Sequence, residues 1–230
     1  MRNFVVIVAG GKGLRMGGDL PKQFIPMHGK PLLMHTLEAF YNWNNETEII
    51  LVLPLDHQPY WQMLCKEIGC KAPHRVVTGG ETRFHSVRNG LEVIESELLS
   101  NGEQAIIAVH DGVRPFVSSD TIDSCFKSAE NNGAAVPVLP MIDSLREIKS
   151  EEESSPVDRS KYCSVQTPQV FRSDILFESY KQEYNSLFTD DASVVEAKGF
   201  KVSLVKGNRE NIKITTPFDL LIAKAIFEEK

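Results

Sequence analysis

The stretch Phe4-Val5-Val6-Ile7-Val8-Ala9-Gly10-Gly11-Lys12-Gly13-Leu14-Arg15-Met16, with Pro21-Lys22-Gln23 close behind it, decides the fold. The apolar run Phe4–Val8 predicts a buried strand. Gly10, Gly11 and Gly13 let the backbone turn tightly and aim successive N–H groups at an anion. Arg15 and Lys22 add the positive charge that glycine cannot supply. The segment therefore predicts a strand feeding a phosphate-binding loop suited to a nucleoside triphosphate.

Two familiar glycine motifs compete for this loop, and both fail on counting. The dinucleotide fingerprint Gly-x-Gly-x-x-Gly, started from Gly11 and Gly13, needs a glycine where Met16 stands, and the second strand ends in Leu53-Pro54 without the acidic residue that holds a ribose. The P-loop needs Ser or Thr after Gly-Lys, but the two Gly-Lys pairs are followed by Gly13 and Pro31. A bare strand–turn–helix junction accounts for the glycines alone equally well, but not for Arg15, Pro21, Lys22 and Gln23. The order Gly-x-Gly-x-Arg-Met then Pro-Lys-Gln is similar to the signature of the glycosyltransferase-A-like nucleotidyltransferases.

Working outward, short Val- and Ile-rich runs alternate with longer periodic ones. Strands are expected at Phe4–Val8, Ile49–Leu53, Arg75–Thr78, Ala105–Val109, Ala134–Val138 and Val202–Val205. Helices are expected near Pro31–Tyr41, Pro59–Ile68, Thr82–Ile94, Ser119–Asn131, Ser173–Glu183, Thr189–Ala197 and Thr216–Glu228. Thr216 with Pro217 starts the last of these, and Gly69, Gly133 and Gly199 serve as helix stops. Such alternation predicts a Rossmann-like α/β fold, a mostly parallel sheet with helices on both faces, with active loops at the carboxyl ends of the strands. From about 140 to 167 the pattern breaks around Lys149-Ser150-Glu151-Glu152-Glu153. Its flanks, Asp143–Lys149 and Val157–Val165, are expected to pair as a protruding arm, which as a lone ribbon needs something to pack on, such as a second copy of the chain.

With 230 residues, 42% of them hydrophobic, the chain is expected to form a single domain, residues 1–230, carrying that arm. A net charge of −6 argues against a nucleic-acid or anionic-membrane surface. The first strand begins so early that no signal peptide is expected, and no apolar run is long enough for a membrane span, so a cytoplasmic protein is expected. Cys65, Cys70, Cys125 and Cys163 contain no Cys-x-x-Cys pair, and reduced structural thiols are expected, with Cys65 and Cys125 buried.

Three further constellations carry chemistry. Gly79-Gly80-Glu81-Thr82-Arg83-Phe84-His85-Ser86 opens a helix after the third strand. On its own it reads as a turn with Thr82 as helix cap; beside a triphosphate loop it reads as base recognition, with Ser86 able to bond a base edge. His110-Asp111-Gly112-Val113-Arg114-Pro115 places a carboxylate at the end of the fourth strand, suited to Mg²⁺ or a hydroxyl, while His110 points to the opposite face and is read as structural. Arg159, Thr167 and Lys213 offer a second anion site apart from Arg15 and Lys22, as a two-substrate phosphate chemistry requires.

Taken in order, Gly-x-Gly-x-Arg-Met, Pro-Lys-Gln-Phe, Gly-Gly-x-x-Arg-x-x-Ser-Val, His-Asp-x-x-Arg-Pro, Thr-Pro-Gln-x-Phe, Thr-Asp-Asp-Ala and Asn-Ile-Lys-Ile-Thr-x-Pro resemble the 2-C-methyl-D-erythritol 4-phosphate cytidylyltransferase family over residues 4 to about 225. The resemblance implies an enzyme that transfers CMP from CTP to methylerythritol 4-phosphate with release of pyrophosphate, uses a divalent cation such as Mg²⁺, and forms a homodimer through its arms. It implies that Ala9, Gly10, Gly11 and Gly13 wrap the nucleotide and that Gly80, Glu81 and Ser86 read cytosine. Arg15 and Lys22 would stabilise the transition state, while Arg159 and Lys213, helped by Arg114, Ser144 and Thr167, would position the acceptor. Asp111 matches the family's metal-proximal carboxylate. Gly10 and Ser144 stand where the family commonly has alanine and threonine. Ribitol 5-phosphate cytidylyltransferases share nearly every motif, and a CTP-binding regulator without catalysis is the reading from another class.

Overall fold

The computed structural model of the chain describes residues 1–11 and 20–229. Gly13 and Arg15 lie outside the described residues. The chain begins with β1 (Arg2–Val8), the short pair β2 (Pro26–Met27) and β3 (Lys30–Pro31), then α1 (Leu32–Trp43), β4 (Glu48–Leu53), α2 (Gln58–Ile68), β5 (Arg75–Thr78), α3 (Arg83–Asn101) and β6 (Ala105–Asp111). It continues through α4 (Ser119–Asn132), β7 (Ala134–Pro140), β8 (Leu145–Ile148), β9 (Ser154–Val157), β10 (Cys163–Val165) and β11 (Gln169–Arg172). Helices α5 (Ser173–Tyr180) and α6 (Asp191–Ala197), strand β12 (Ser203–Lys206) and α7 (Pro217–Glu228) complete it.

Eight of the described strands form one main sheet in the order β10-β7-β11-β6-β1-β4-β5, with β12 also on β7, while β2–β3 and β8–β9 are separate pairs. Strands β6, β1, β4 and β5 run parallel, as does β12 on β7, whereas β11 is antiparallel to both β6 and β7. Strand β1 shows why the sheet is covered twice. Phe4 and Val6 pack into a cluster with Val87 and Leu91 of α3 and Leu176 of α5, while Val5 and Ile7 pack on the other face against Leu33 and Leu37 of α1, Trp61 of α2 and Ile122 of α4. All of these except Leu91 are fully buried, and each such side chain contributes about 1.5–3 kcal/mol by leaving water. A third cluster seats α7 at one end through Ala223 and Ile214 against Phe116 and Leu32.

The expected helix signals hold: Gly69 and Gly199 end helices at φ 77° and 92°, and Thr216 caps α7 with Pro217 next to it. Helix α3 runs on to Asn101, past the expected end at Ile94, because buried Leu98 continues its apolar stripe until Gly102 stops it. Two expectations need correction. The sequence reading had no strand at Gln169–Arg172, yet β11 is buried in the middle of the sheet. The arm is β8 paired with β9, Leu145 opposite Val157, whereas residues 163–165 leave it and pair with β7 as β10. A two-stranded ribbon has no buried face to dictate its register from sequence.

Candidate active site

Parallel strands β1, β4, β5 and β6 all end at one rim, and a cavity of about 480 Å³ opens there. It is floored by Val8 at the end of β1 with Ala9, Gly10 and Gly11 after it, and walled by Pro54 and Leu55 after β4. The segment Gly79–Arg83 after β5, Asp111 at the end of β6, and Lys213 close it. Of the residues expected in the site, Ala9, Gly10, Gly11, Lys22, Gly80, Glu81, Ser86, Asp111 and Lys213 all line this cavity.

Local geometry explains the two loops. A Cβ on Gly11 would stand 3.2 Å from Cε and 3.5 Å from Nζ of Lys22, so the ammonium lies directly over the glycine backbone. Gln23 holds the loop in place, its amide donating to the Ala9 carbonyl at 2.9 Å and meeting His57 Nδ1 at 3.2 Å. In the second loop Gly80 has no room for a side chain, since a Cβ there would sit 2.5 Å from that of His85. Thr82 caps α3 by accepting from His85 N–H, as the plain turn reading expected. Ser86 Oγ accepts from Gly80 N–H at 3.0 Å and donates to the Thr82 carbonyl at 2.9 Å. Its hydroxyl is thus engaged in holding the Gly79–Gly80 turn against the helix.

Asp111 is the electrostatic centre. Its Oδ2 meets Arg114 Nε at 3.0 Å and Lys213 Nζ at 3.1 Å, and Oδ1 faces Arg83 Nε at 3.9 Å. Burial works against the charged form, but Arg83, Lys213 and Arg114 outweigh it and hold this carboxyl well below the usual carboxylate range. Behind it runs a relay of fixed sense. Asp111 N–H donates to Thr167 Oγ1 at 3.1 Å, Thr167 pairs with His110 Nδ1 at 3.0 Å, and His110 Nε2 meets the Arg114 carbonyl at 3.1 Å. A carbonyl only accepts, so the proton sits on Nε2 and Thr167 donates to Nδ1. Burial lowers the His110 pKa to about 4 and keeps the ring neutral, in line with its structural reading.

Arg114 and Thr167 therefore reach the cavity through Asp111: Arg114 also donates to the Asn211 carbonyl at 2.8 Å, fixing the segment that carries Lys213. Arg159 and Ser144 flank the base of the arm, where Arg159 bonds the Ile142 carbonyl and Ser144 is exposed, and neither lines the cavity. The sequence reading assigned no role to Arg83, although the Gly-Gly-x-x-Arg spacing contained it. Arg83 joins the Gly79–Gly80 loop to Asp111 and to buried Asp191, whose carboxylate it holds at 2.8 and 2.6 Å.

Among the described residues no group of three His, Cys, Asp or Glu side chains could by itself hold a metal ion. Asp111 fits a different donor set. Its Oδ1 has Arg83 no nearer than 3.9 Å, and Mg²⁺ commonly takes one or two carboxylates with substrate phosphates and water as the remaining ligands.

Comparison with known proteins agrees with this geometry. Residues 3–229 match the family model described as IspD, 2-C-methyl-D-erythritol 4-phosphate cytidylyltransferase. The chain is 52% identical over 226 residues to the protein of that name from Phocaeicola vulgatus, covering 98% of this chain and 100% of the relative. It is 40% identical to the one from Alkaliphilus metalliredigens, over 98% of this chain and 93% of that one. Among solved structures, 4-diphosphocytidyl-2C-methyl-D-erythritol synthase from Anaerococcus prevotii superposes with a TM-score of 0.81 at 27% identity, covering 99% of this chain and 96% of that one. The Thermus thermophilus cytidylyltransferase gives 0.74 at 32% identity, covering 99% and 100%.

Proposed function

The chain belongs to the 2-C-methyl-D-erythritol 4-phosphate cytidylyltransferase family, transferring CMP from CTP to that acceptor in isoprenoid biosynthesis, and we propose that the cavity between the Gly10–Gly11 and Gly79–Gly80 loops is where it does so. The observation that carries the assignment is the pair of lysines, Lys22 over the glycine backbone and Lys213 on Asp111, lining one cavity from two directions. Lys22 and the loop N–H groups, together with Arg15 and Gly13, take the triphosphate. Gly80 and Glu81 read the cytosine edge from a turn that Ser86 keeps in shape. Lys213, oriented by Asp111 and Arg114, receives the acceptor phosphate.

A phosphate oxygen of the acceptor attacks the α-phosphorus of CTP in line. The new P–O bond forms as the bond to the β-phosphate breaks, and pyrophosphate leaves. A phosphate monoester is largely ionised at pH 7, so no general base is required. This chain's residues supply position and positive charge where negative charge builds on the phosphates. Asp111, with phosphate oxygens and water, would hold a divalent cation such as Mg²⁺, which when bound supplies further charge neutralisation.

The arm completes the reading. Ribbon β8–β9 is a two-stranded sheet of its own, and Ile142 just before it and Ile148 on it are 57% and 80% exposed. A homodimer in which the arms cover one another buries these side chains and gives Ser144 and Arg159 a route to an acceptor bound by the partner. The test is pyrophosphate release from CTP and Mg²⁺ with methylerythritol 4-phosphate or ribitol 5-phosphate in separate reactions. Turnover with the first alone is expected; turnover with the second alone would reassign the acceptor.

A further inference from the structure

Away from the active rim, α2 ends in a turn that brings two thiols together. Gly69 takes a left-handed conformation, φ 77°, and both Gly69 N–H and Cys70 N–H donate to the Cys65 carbonyl at 3.0 Å. The Cys70 bond is the 6→1 bond of a Schellman turn and the Gly69 bond the 5→1 bond of an αL cap, and such helix ends bring together the side chains three positions before and two after the helix end. Here those positions are Cys65 and Cys70, and both pack half-buried against the same core cluster. Adding standard backbone lengths to that 3.0 Å bond keeps their Cα atoms within about 6.9 Å, inside the limit of about 7 Å for a disulfide without backbone movement. Next to them His74 Nε2 accepts from the indole N–H of buried Trp61 at 2.9 Å. The Nδ1 of His74 lies 2.8 Å from the Ala72 carbonyl, which also accepts from the Cys70 thiol at 3.8 Å.

We propose that Cys65 and Cys70 form a reversible dithiol–disulfide couple, oxidised by exchange with a low-molecular-weight disulfide, with Cys70 as the attacking sulfur and Cys65 as the resolving one. Cys70 is the attacker because the neighbouring Cys65 thiol and the His74 ring lower its pKa against the effect of burial, while the Cys65 pKa is raised. The Cys70 thiolate attacks one sulfur of the oxidant RSSR, forming a mixed disulfide and releasing one RS⁻. Cys65 then gives up its proton to the medium, its thiolate attacks the Cys70 sulfur, and the second RS⁻ leaves. In total two thiols and one RSSR become one protein disulfide and two RSH. The turn precedes β5 at its amino end, whereas the cavity lies at the carboxyl ends. Oxidation is therefore expected to leave cytidylyl transfer within about twofold of its starting rate.

The test is to incubate the full native chain with oxidised glutathione at pH 7, alkylate, and map peptides by mass spectrometry. The expected product carries a Cys65–Cys70 link. The native chain is also expected to consume its first thiol about fivefold or more faster than the urea-unfolded chain. In Cys65→Ser the mixed disulfide is expected to persist on Cys70. Separate glutathiones on Cys65 and Cys70 with no link in the wild-type chain, or a first-thiol rate no faster than in urea, overturns the proposal without touching the assignment of the active site.

Discussion

Arg83 grips Asp191 with both terminal nitrogens, NH1 to Oδ1 at 2.8 Å and NH2 to Oδ2 at 2.6 Å, across 108 positions of sequence. Asp191 is fully buried, and its only other side-chain bond among the described residues is from the Tyr180 hydroxyl, at 2.6 Å. Arg83→Ala strands that carboxylate, and unfolding in urea should show a loss of about 3 kcal/mol or more. A loss below about 1 kcal/mol would mean that the pair does not tie α3 to α6.

Lys22 lies over the Gly11 backbone and is only partly buried. Lys22→Ala should lower turnover by about a hundredfold, with folding stability changed by less than about 0.5 kcal/mol. Steady-state kinetics and urea melts on the same preparation separate the two. Wild-type-like turnover would remove Lys22 from the mechanism.

Gly80 should act on nucleotide binding. Because a Cβ there meets His85 at 2.5 Å, Gly80→Ala must displace the turn that Ser86 holds. The expected result is a rise of about tenfold in the KM for CTP, equivalent to about 1.4 kcal/mol, with a smaller change in kcat. An unchanged KM for CTP would place base recognition elsewhere.

His110 sets a pH dependence. Its pKa of about 4, lowered by burial, lies below the ordinary histidine value of 6.5. The unfolded chain therefore binds more protons between the two, and this stabilising contribution is complete above pH 6.5 and lost as pH falls towards 4. From pH 7 to pH 5 the loss from this group amounts to about 2 kcal/mol. His35, also held neutral by burial, acts with the same sign. Urea unfolding of wild type and His110→Asn at both pH values checks this, and equal pH slopes would refute it.

How much was legible follows from the range of the interactions involved. β1, the Thr82 and Thr216 caps and the Gly69 stop are written in neighbouring residues, and the sequence patterns located them. Strand β11 is not written that way. Its four residues, Gln169-Val170-Phe171-Arg172, form too short a run for periodicity, and its partners lie at Ile106–Val109 and Ala134–Ala135. Likewise, the motif spacing brought out Lys22, Asp111 and Lys213 as cavity residues. It did not disclose that Ser86 is engaged by Gly80 and Thr82, or that Thr167 supports Asp111 from behind, because both depend on which hydroxyl lone pairs remain free after folding.

The insertion of β11 between β6 and β7 also imposes an order on synthesis. When Asp111 has left the ribosome, β5, β4, β1 and β6 can pair, but the far side of β6 has no neighbour until Gln169–Arg172 follow. At about 5–20 residues per second, the intervening stretch leaves that side open for about 3–12 s. The residues along it, Ile106 to Val109, are nearly or fully buried in the finished protein. The nascent chain thus carries an apolar strand edge of the kind that recruits other chains, and a transcript truncated before Gln169 would yield a species whose fate is aggregation or proteolysis.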